Sequence, residues 1–235
     1  MSLKRFTFNG RNSSEFGMYI TGDKTYNGPS KDYETIHIPG RIGDLLVFNG
    51  RYENIRIPYS AFIIRDFKYN TDELRDWLLS ANGYCRLEDE YHPDIYRLAF
   101  FKGPLDFDVK FDRFGECDIE FEAMPQRFLM SGEQAVTLTK TGTIANPTAF
   151  AAKPLLRVYG EGTLTISGVH LQISKGTEYI DIDCDLMDAF EGTNNRNSNI
   201  TLTDGLFPVL MPGNNRITLG SGITKVVVTP RWWRL

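Results

Sequence analysis

The sequence predicts a mainly β protein with two domains and one α-helix. Short extended runs bounded by turn residues fill most of the 235 residues, and one segment shows the apolar spacing of a helix. Near residue 131 the composition shifts to SGEQAVTLTKTGTIANPTAFAAKP, which is rich in Thr, Ala and Gly. A chain of this length can bury two cores. We therefore expect an N-terminal domain at 1–132 and a second domain at 133–235.

The first domain opens with a predicted hairpin, in which the arms KRFTF and EFGMYI flank Asn9-Gly10 and a polar stretch. It continues with the ribbon IPGRIGDLLVFNGRYENIRIPYSAFII at 38–64. Asn49-Gly50 in this ribbon is typical of a two-residue hairpin turn. The arm before it, LLVF, is apolar on both faces, whereas the arm after it is polar. A central strand in the chain's own core is the simpler explanation of such an arm. The alternative is a ribbon that packs on another subunit.

The segment NTDELRDWLLSANG predicts the helix. Asn70 suits the N-cap and Glu73 completes a capping box. One apolar stripe follows at helical spacing, formed by Leu74, Trp77, Leu78 and Ala81. Gly83 is expected to end the helix in a left-handed conformation.

The segment LDFDVKFDRFGECDIEFE predicts an acidic hairpin, because apolar and charged residues alternate along both arms. Seven carboxylates would share its outer surface, those of Asp106, Asp108, Asp112, Glu116, Asp118, Glu120 and Glu122. An ordinary solvated face explains this pattern, and so does a wall that repels a polyanion.

The second domain reads as a β-sandwich of short strands with turns every few residues. The last strand, 225–235, either completes this sandwich or packs back on the N-terminal domain. Trp232 and Trp233 are adjacent in that strand and so point to opposite faces. Both rings can be core residues, or one can form a sugar-stacking platform.

Composition and motifs exclude several classes of function. The net charge of −4 disfavours broad binding to nucleic-acid backbones. No apolar run is long enough for a membrane span, and we expect no secretory signal, because the start MSLKRFTFNG turns at Asn9-Gly10 before an apolar stretch could form. The three cysteines form no CxxC pair, and no metal, cofactor or catalytic motif stands out. Among an assembly protein, a carbohydrate-binding module and an enzyme, the enzyme has the least support.

A set of short signatures, in order along nearly the whole chain, resembles the distal tail proteins of siphophages, the siphovirus tail component family. The matching stretches are IPGRIGDLL, GRYENI, FEAMPQRFL, IANPT, KPLLRVYGEGTLTI, YIDIDCDLMDAF, FPVLMPGNNRIT and VVVTPRWWRL. The resemblance implies a non-catalytic hub at the virion tail tip, made and assembled in the bacterial cytoplasm. It implies a hexameric ring built by the N-terminal domain around the DNA channel, with a galectin-like β-sandwich as the second domain.

The resemblance also implies the partners, which are copies of the same chain, the tail tube protein, the tail-associated hub protein and the tape measure protein. DNA would pass through the channel without specific binding, and no membrane, cofactor or metal is expected. A long hairpin of the first domain reaches over the neighbouring subunit in this family, and the segment Pro39 to Pro58 matches it.

From that match we expect a subunit contact formed by Arg41, Leu45, Leu46, Val47, Phe48, Tyr52 and Ile55. Six of the carboxylates named above, all but that of Asp112, would line the channel. The alternative function is a carbohydrate-binding module that attaches to host cell-wall saccharide, with Trp232 or Trp233 stacking on the sugar.

Overall fold

A computed structural model describes residues 3–21, 27–64, 67–110, 114–174 and 178–235. The chain divides into two compact units, Met1–Arg127 with Leu235 (unit 1) and Phe128–Arg234 (unit 2). No helix in the described part of the chain is long and apolar enough to cross a membrane.

Unit 1 is a β structure with one α-helix in its described residues. The helix is α1 (Phe67–Ser80), and a 3₁₀ turn spans Ser13–Phe16. The strands are β1 (Phe6–Phe8), β2 (Arg11–Asn12), β3 (Met18–Thr21), β4 (Lys31–Ile36), β5 (Leu45–Tyr52), β6 (Ile55–Ile63), β7 (Cys85–Asp89), β8 (Ile95–Phe101), β9 (Asp108–Lys110) and β10 (Phe114–Ala123).

The main sheet of unit 1 is antiparallel and runs in the order β2-β1-β7-β8-β10-β6-β3, with β9 also on β10. α1 covers the core on this sheet through Leu74, Trp77 and Leu78, each at most 5% exposed. The Trp77 indole stacks on Phe16 at 4.7 Å, and its Nε1 donates to the Phe8 carbonyl at 3.1 Å. The apolar stripe predicted for this helix is therefore buried as expected.

The predicted start of this helix is wrong, because α1 already includes Phe67, three residues before Asn70. A capping box marks a position where a helix can begin, but residues 67–69 contain no Gly or Pro to stop it from starting earlier. Gly83 does adopt the left-handed conformation, with φ of +76°, beyond the helix end at Ser80.

Two predicted hairpins differ from the observed ones. Asn9-Gly10 does join β1 to β2, and the two predicted arms meet in one antiparallel bridge between Lys4 and Ile20, but β3 in the second arm otherwise pairs with β6. The long hairpin is formed by β4 and β5, which make a separate two-stranded sheet joined by the loop 37–44. Asn49-Gly50 lies inside β5, where the pairing register shifts. Gly50 has φ of +75°, and a glycine with positive φ serves a β-bulge as well as a turn.

Unit 2 contains two antiparallel sheets in its described residues, and β11 (Arg127–Leu129) spans the boundary in the chain. Short 3₁₀ helices cover Met130–Glu133 and Asn197–Asn199. The strands are β12 (Val136–Leu138), β13 (Gly142–Asn146), β14 (Leu155–Gly160), β15 (Gly162–Ile166), β16 (Val169–Ile173), β17 (Tyr179–Asp183), β18 (Asp188–Glu191), β19 (Asn194–Asn195), β20 (Ile200–Leu202), β21 (Gly213–Leu219), β22 (Ile223–Thr229) and β23 (Trp233–Arg234).

The two sheets of unit 2 enclose a second hydrophobic core. Their strand orders are β12-β22-β14-β17-β18-β19 and β13-β21-β15-β16-β20. Leu156, Leu164, Ile182 and Ile217 are fully buried in this core. β22, the strand that starts the 225–235 segment, pairs with β12 and β14. The arrangement is a β-sandwich.

Candidate assembly surfaces

The hairpin of β4 and β5 exposes most of its length to solvent. Leu46, Val47 and Phe48 are 59%, 40% and 44% exposed, and Leu45 is half-buried. A central strand in the chain's own core would bury these side chains, so that explanation of the apolar arm is wrong. A two-stranded ribbon has no second layer of its own to cover its apolar side chains.

One face of the hairpin is aromatic. Residues directly opposite in an antiparallel pair share a face, and Tyr33 lies opposite Phe48 while Thr35 lies opposite Leu46. The Phe48 ring contacts the rings of Tyr33 at 5.4 Å and Tyr52 at 6.0 Å. We call this the aromatic face, and it consists of Lys31, Tyr33, Thr35, Leu46, Phe48 and Tyr52.

The other face is mixed. Asp32 accepts hydrogen bonds from Arg51 Nε at 2.5 Å and from Asn49 Nδ2 at 3.0 Å. The hydrogen bond from Arg51, followed by that from Asn49, holds the pKa of Asp32 below its ordinary value. Val47 on this face lies opposite Glu34. Asp32, Asn49 and Arg51 therefore satisfy one another within the mixed face, whereas the aromatic face carries the exposed cluster of Tyr33, Leu46 and Phe48.

The tip of the hairpin is the loop 37–44, in which every residue is exposed. The backbone N–H of Arg41 donates to the Ile38 carbonyl at 3.1 Å, and the His37 ring lies 3.1 Å from the Asp44 carboxylate. Ile42 is fully exposed, at 102% of its reference area. Arg41 is exposed as well and takes no part in the ion pairs found among the described residues.

Ile55 does not belong to this exposed surface. It begins β6, whose residues alternate between core and solvent, and it is 5% exposed in the core of unit 1. Its predicted role in a subunit contact is therefore wrong. The error arose because the segment after Asn49-Gly50 was interpreted as the second arm of the ribbon. That interpretation placed Ile55 on the same exposed arm as Tyr52.

The predicted acidic face exists in unit 1. Along β10 the residues Glu116, Asp118 and Glu120 are exposed, while the residues between them are buried. Asp108 lies opposite Glu116 in the pairing of β9 with β10, and Asp106 is exposed just before β9. Asp112, which was expected on the same face, lies outside the described residues.

Part of this acidic face is neutralised by groups that the sequence interpretation did not connect with it. Arg56 on β6 lies 3.7 Å from the Glu120 carboxylate, and Lys102 lies 3.4 Å from that of Glu122. Asn54 donates to Glu122 at 3.0 Å, and this bond, more than the one from Lys102, lowers the pKa of Glu122. Strand register, which the sequence pattern does not supply, brings these groups together.

A groove of about 420 Å³ lies at one end of the acidic face. Its floor includes Ala61 and the half-buried ring of Phe62. Its rim carries four carboxylates, those of Asp106, Asp108, Glu116 and Asp118. Asp118 accepts a hydrogen bond from the Ser60 hydroxyl at 2.7 Å.

Trp232 cannot form a sugar platform, because it lies in the sandwich core and is only 5% exposed. Trp233 is partly exposed, but its ring stacks on Phe150 at 4.5 Å and its Nε1 donates to the Ala151 carbonyl at 3.0 Å. The Trp232 ring is therefore unavailable to a ligand. The Trp233 ring already has one face and its N–H occupied. Of the two rings that the sequence offered, Trp232 is therefore the core residue, and a sugar platform could form only on Trp233.

The segment YIDIDCDLMD at 179–188 in unit 2 is acidic, and three of its carboxylates form ion pairs within the unit. Asp181 pairs with Arg157, and Asp185 pairs with Lys153. Asp183, whose side chain is 6% exposed, accepts two hydrogen bonds from Arg231 at 2.7 and 2.8 Å. Among the described residues, no group of three or more His, Cys, Asp or Glu is placed to hold a metal ion.

The cysteines are free thiols, and Cys117 and Cys184 are buried. Burial raises the pKa of each of these two thiols to about 12. They therefore stay protonated and unreactive at neutral pH.

No protein-family model and no curated protein matches the sequence. Among solved structures, the crystal structure of the Dit protein (gp 19.1) of phage SPP1 matches with a TM-score of 0.76, at 11% sequence identity, over 100% of each chain. This chain has the fold of SPP1 Dit. SPP1 Dit is described as a paradigm of the hub adsorption apparatus in phages that infect Gram-positive bacteria. The match confirms the predicted mainly β fold class, and it confirms the resemblance to distal tail proteins at the level of the fold.

Proposed function

We propose that this protein is a non-catalytic structural hub of a phage tail tip. The observation that carries the proposal is the full-length fold match to SPP1 Dit. Six copies form a ring through the N-terminal domain, 1–132, and the galectin-like sandwich, 133–235, completes each copy. The ring joins the tail tube to the tail-associated and adsorption proteins, contacts the tape measure protein, and lets DNA pass. It is assembled in the bacterial cytoplasm and resides at the virion tail tip.

Of the residues expected in the subunit contact, Leu46, Phe48 and Tyr52 on the aromatic face of the β4–β5 hairpin form its centre in this proposal, whereas Leu45 and Val47 lie on the other face. Leu46 and Phe48 are exposed side by side on the aromatic face, together with Tyr33 and the half-buried Tyr52. Contiguous exposed apolar surface favours a protein–protein contact. A head-to-tail contact that closes into a ring buries this surface on every copy.

The test compares two faces of the same hairpin. Leu46→Ser with Phe48→Ser removes apolar groups from the aromatic face, and Val47→Ser is the control on the mixed face. Molecular mass by light scattering and negative-stain images are recorded for the protein alone and mixed with the tail proteins encoded beside its gene. We expect rings from the wild type and from Val47→Ser, and folded monomers from the double variant. Intact rings from the double variant would refute this contact.

The acidic face of β9 and β10 forms part of the channel wall. Support comes from its exposed carboxylates, since a negative wall keeps DNA phosphates from adhering. Replacing Asp106, Asp108, Glu116, Asp118, Glu120 and Glu122 by their amides should raise retention of DNA by purified rings at low salt. A ring structure with these side chains on the outer rim would contradict this assignment.

A further inference from the structure

We propose that one open edge of the unit 2 sandwich binds an extended, acidic segment of another protein, which adds to β13 as a further strand. One apolar side chain of that segment enters a groove beside Val136, and a carboxylate on its other face pairs with Arg216. The inference goes beyond the proposed hub, because it names a binding site within unit 2 that does not depend on a ring.

β13 lies at the end of its sheet and is an unprotected edge. It pairs with β21 in register over its 5 residues and with no other strand in the described part of the chain. Edge strands are usually blocked by a charge, a proline or a bulge, because their unpaired backbone groups otherwise pair with another chain. The sequence of β13, GTIAN, contains neither a charge nor a proline, and its pairing has no bulge. An extended backbone is the partner that such a row of N–H and C=O groups fits.

A groove of about 390 Å³ lies beside this edge, between β13 and β12, the end strand of the other sheet. Its lining includes Ile144 and Trp232, each at most 6% exposed, and Val136, which is 37% exposed. Val136 lies opposite the fully buried Val228 and therefore shares its core-facing side of the sheet. The core side of the sandwich is thus open at this edge and can receive an apolar side chain.

The solvent side of the same edge carries positive charge. Arg216 lies opposite Thr143 on β13, and both side chains are exposed. Lys140 is exposed just before β13. Neither cation takes part in the ion pairs found among the described residues. Because side chains of a strand alternate between its faces, one added strand can place an apolar group in the groove and a carboxylate near Arg216.

This charge favours another protein over a second copy of unit 2 as the occupant. The strands at the ends of the two sheets are β12, β13, β19 and β20, with the sequences VTL, GTIAN, NN and ITL. None of these four strands contains a carboxylate. Edge-to-edge pairing of two copies of this unit would therefore leave Arg216 and Lys140 without a counter-charge.

The probe for this site is a short blocked peptide in which valine alternates with threonine and aspartate. Its binding to the full-length protein is measured by fluorescence anisotropy of the labelled peptide and by amide NMR shifts. We expect shifts in β13 and none in β20, the strand at the opposite end of the same sheet. Lysine in place of the aspartates should weaken binding about tenfold. Proline in place of the central threonine should abolish it, because proline has no N–H to donate to the edge.

Two variants test the two faces of the added strand. Val136→Gln removes the apolar contact in the groove without a change of charge and should weaken binding about tenfold. Thr201→Gln, at an exposed residue of β20, is the matched control and should bind as the wild type does. Arg216→Glu should weaken binding of the aspartate peptide and strengthen that of the lysine peptide. Circular dichroism confirms that each variant is folded.

An aspartate peptide that causes no shifts in β13 would overturn the site. Equal binding of the aspartate and lysine peptides, or wild-type binding by Val136→Gln, would overturn the proposed mode of binding. A wild type that forms dimers alone, and loses them in Val136→Gln, would show that the occupant is a second copy and that the proposal is wrong. The ring test uses variants of the β4–β5 hairpin in unit 1, so failure of the hub and failure of this site are distinguishable.

Discussion

The β4–β5 hairpin and the sandwich of unit 2 are both antiparallel β structure, but the sandwich buries its apolar side chains and the hairpin exposes them. In the sandwich, Leu156, Leu164 and Ile217 lie between two sheets and are fully buried. In the hairpin, Leu46 and Phe48 remain exposed. The difference is the second layer, which the sandwich has and the hairpin lacks. Apolar content alone therefore does not decide burial, and the hairpin is the region that another molecule can complete.

The largest expected difference in unfolding free energy is between truncation of a core leucine in the sandwich and truncation of an exposed leucine in the hairpin. Leu164→Ala leaves a cavity between the sheets of unit 2 and should cost about 2–5 kcal/mol of its unfolding free energy. The same truncation in the hairpin, Leu46→Ala, should stay within about 0.5 kcal/mol in the monomer. Urea denaturation of the monomeric protein measures both. Equal costs would show that the hairpin is buried within the monomer after all.

A second test compares the ion pairs of the two regions. Arg231→Met leaves the buried Asp183 carboxylate without its bidentate partner and should destabilise unit 2 by about 3 kcal/mol. Arg51→Met removes the partner of Asp32 in the hairpin, where Arg51 is 71% exposed, and should leave global unfolding unchanged. Denaturation midpoints of the two variants make the comparison. A large loss in Arg51→Met would contradict the view of the hairpin as a solvated ribbon.

A smaller effect concerns pH. Burial by itself raises the pKa of Asp183, but hydrogen bonds from Arg231 and from the backbone N–H groups of Leu186 and Asp185 outweigh it, so the pKa lies below its ordinary value of 3.8. A carboxyl whose folded pKa is lowered contributes stability above the unfolded pKa and loses it as the pH falls through the folded value. Unit 2 should therefore weaken below about pH 4.

The variant Asp183→Asn serves as the control for this pH dependence. It should be less stable than the wild type at neutral pH and should show a flatter loss of stability in acid, since it has no carboxyl to protonate. Urea midpoints for unit 2 at a series of pH values provide the measurement. Parallel pH profiles of the wild type and the variant would show that Asp183 does not cause the loss of stability in acid.

Patterns that repeat within one element predicted much of the fold. The alternation along β10 located its exposed carboxylates, and the helical spacing around Trp77 located a buried stripe. Each follows from a local period, 2.0 for a strand and 3.6 for a helix. The start of α1 escaped prediction, because a favourable cap is only one of several places where a helix can begin.

Features that depend on which strands meet could not be predicted in the same way. The hairpin partner of β5 is KDYETI in β4, a polar run that carries no period-2 alternation of apolar residues. The pairing of Glu120 with Arg56 and the groove beside Phe62 both depend on the register of β6 against β10. Local sequence does not contain that information.

The smallest expected effect concerns Gly50 in β5, where a bulge is found in place of the predicted hairpin turn. Gly50 has φ of +75° and a methyl group added there meets no atom within 4 Å, so Gly50→Ala should cost only the backbone strain, about 1 kcal/mol. The cost should remain local, because the hairpin has no core to couple it to unfolding of the unit. Amide hydrogen exchange should therefore accelerate in β4 and β5 while β6 keeps its protection.

Gly168 in the sandwich is the matched control. Its φ is +90° and an added methyl group there is equally free of contacts, so Gly168→Ala carries a similar strain. It lies in the turn between β15 and β16, whose residues Ile166 and Leu171 belong to the core of unit 2. The same strain should therefore lower the stability of the whole sandwich and accelerate amide hydrogen exchange throughout its strands. If Gly50→Ala instead lowered the stability of β6 by the same amount, the hairpin and the main sheet would unfold as one unit, and the ribbon would not be an independent element awaiting a partner.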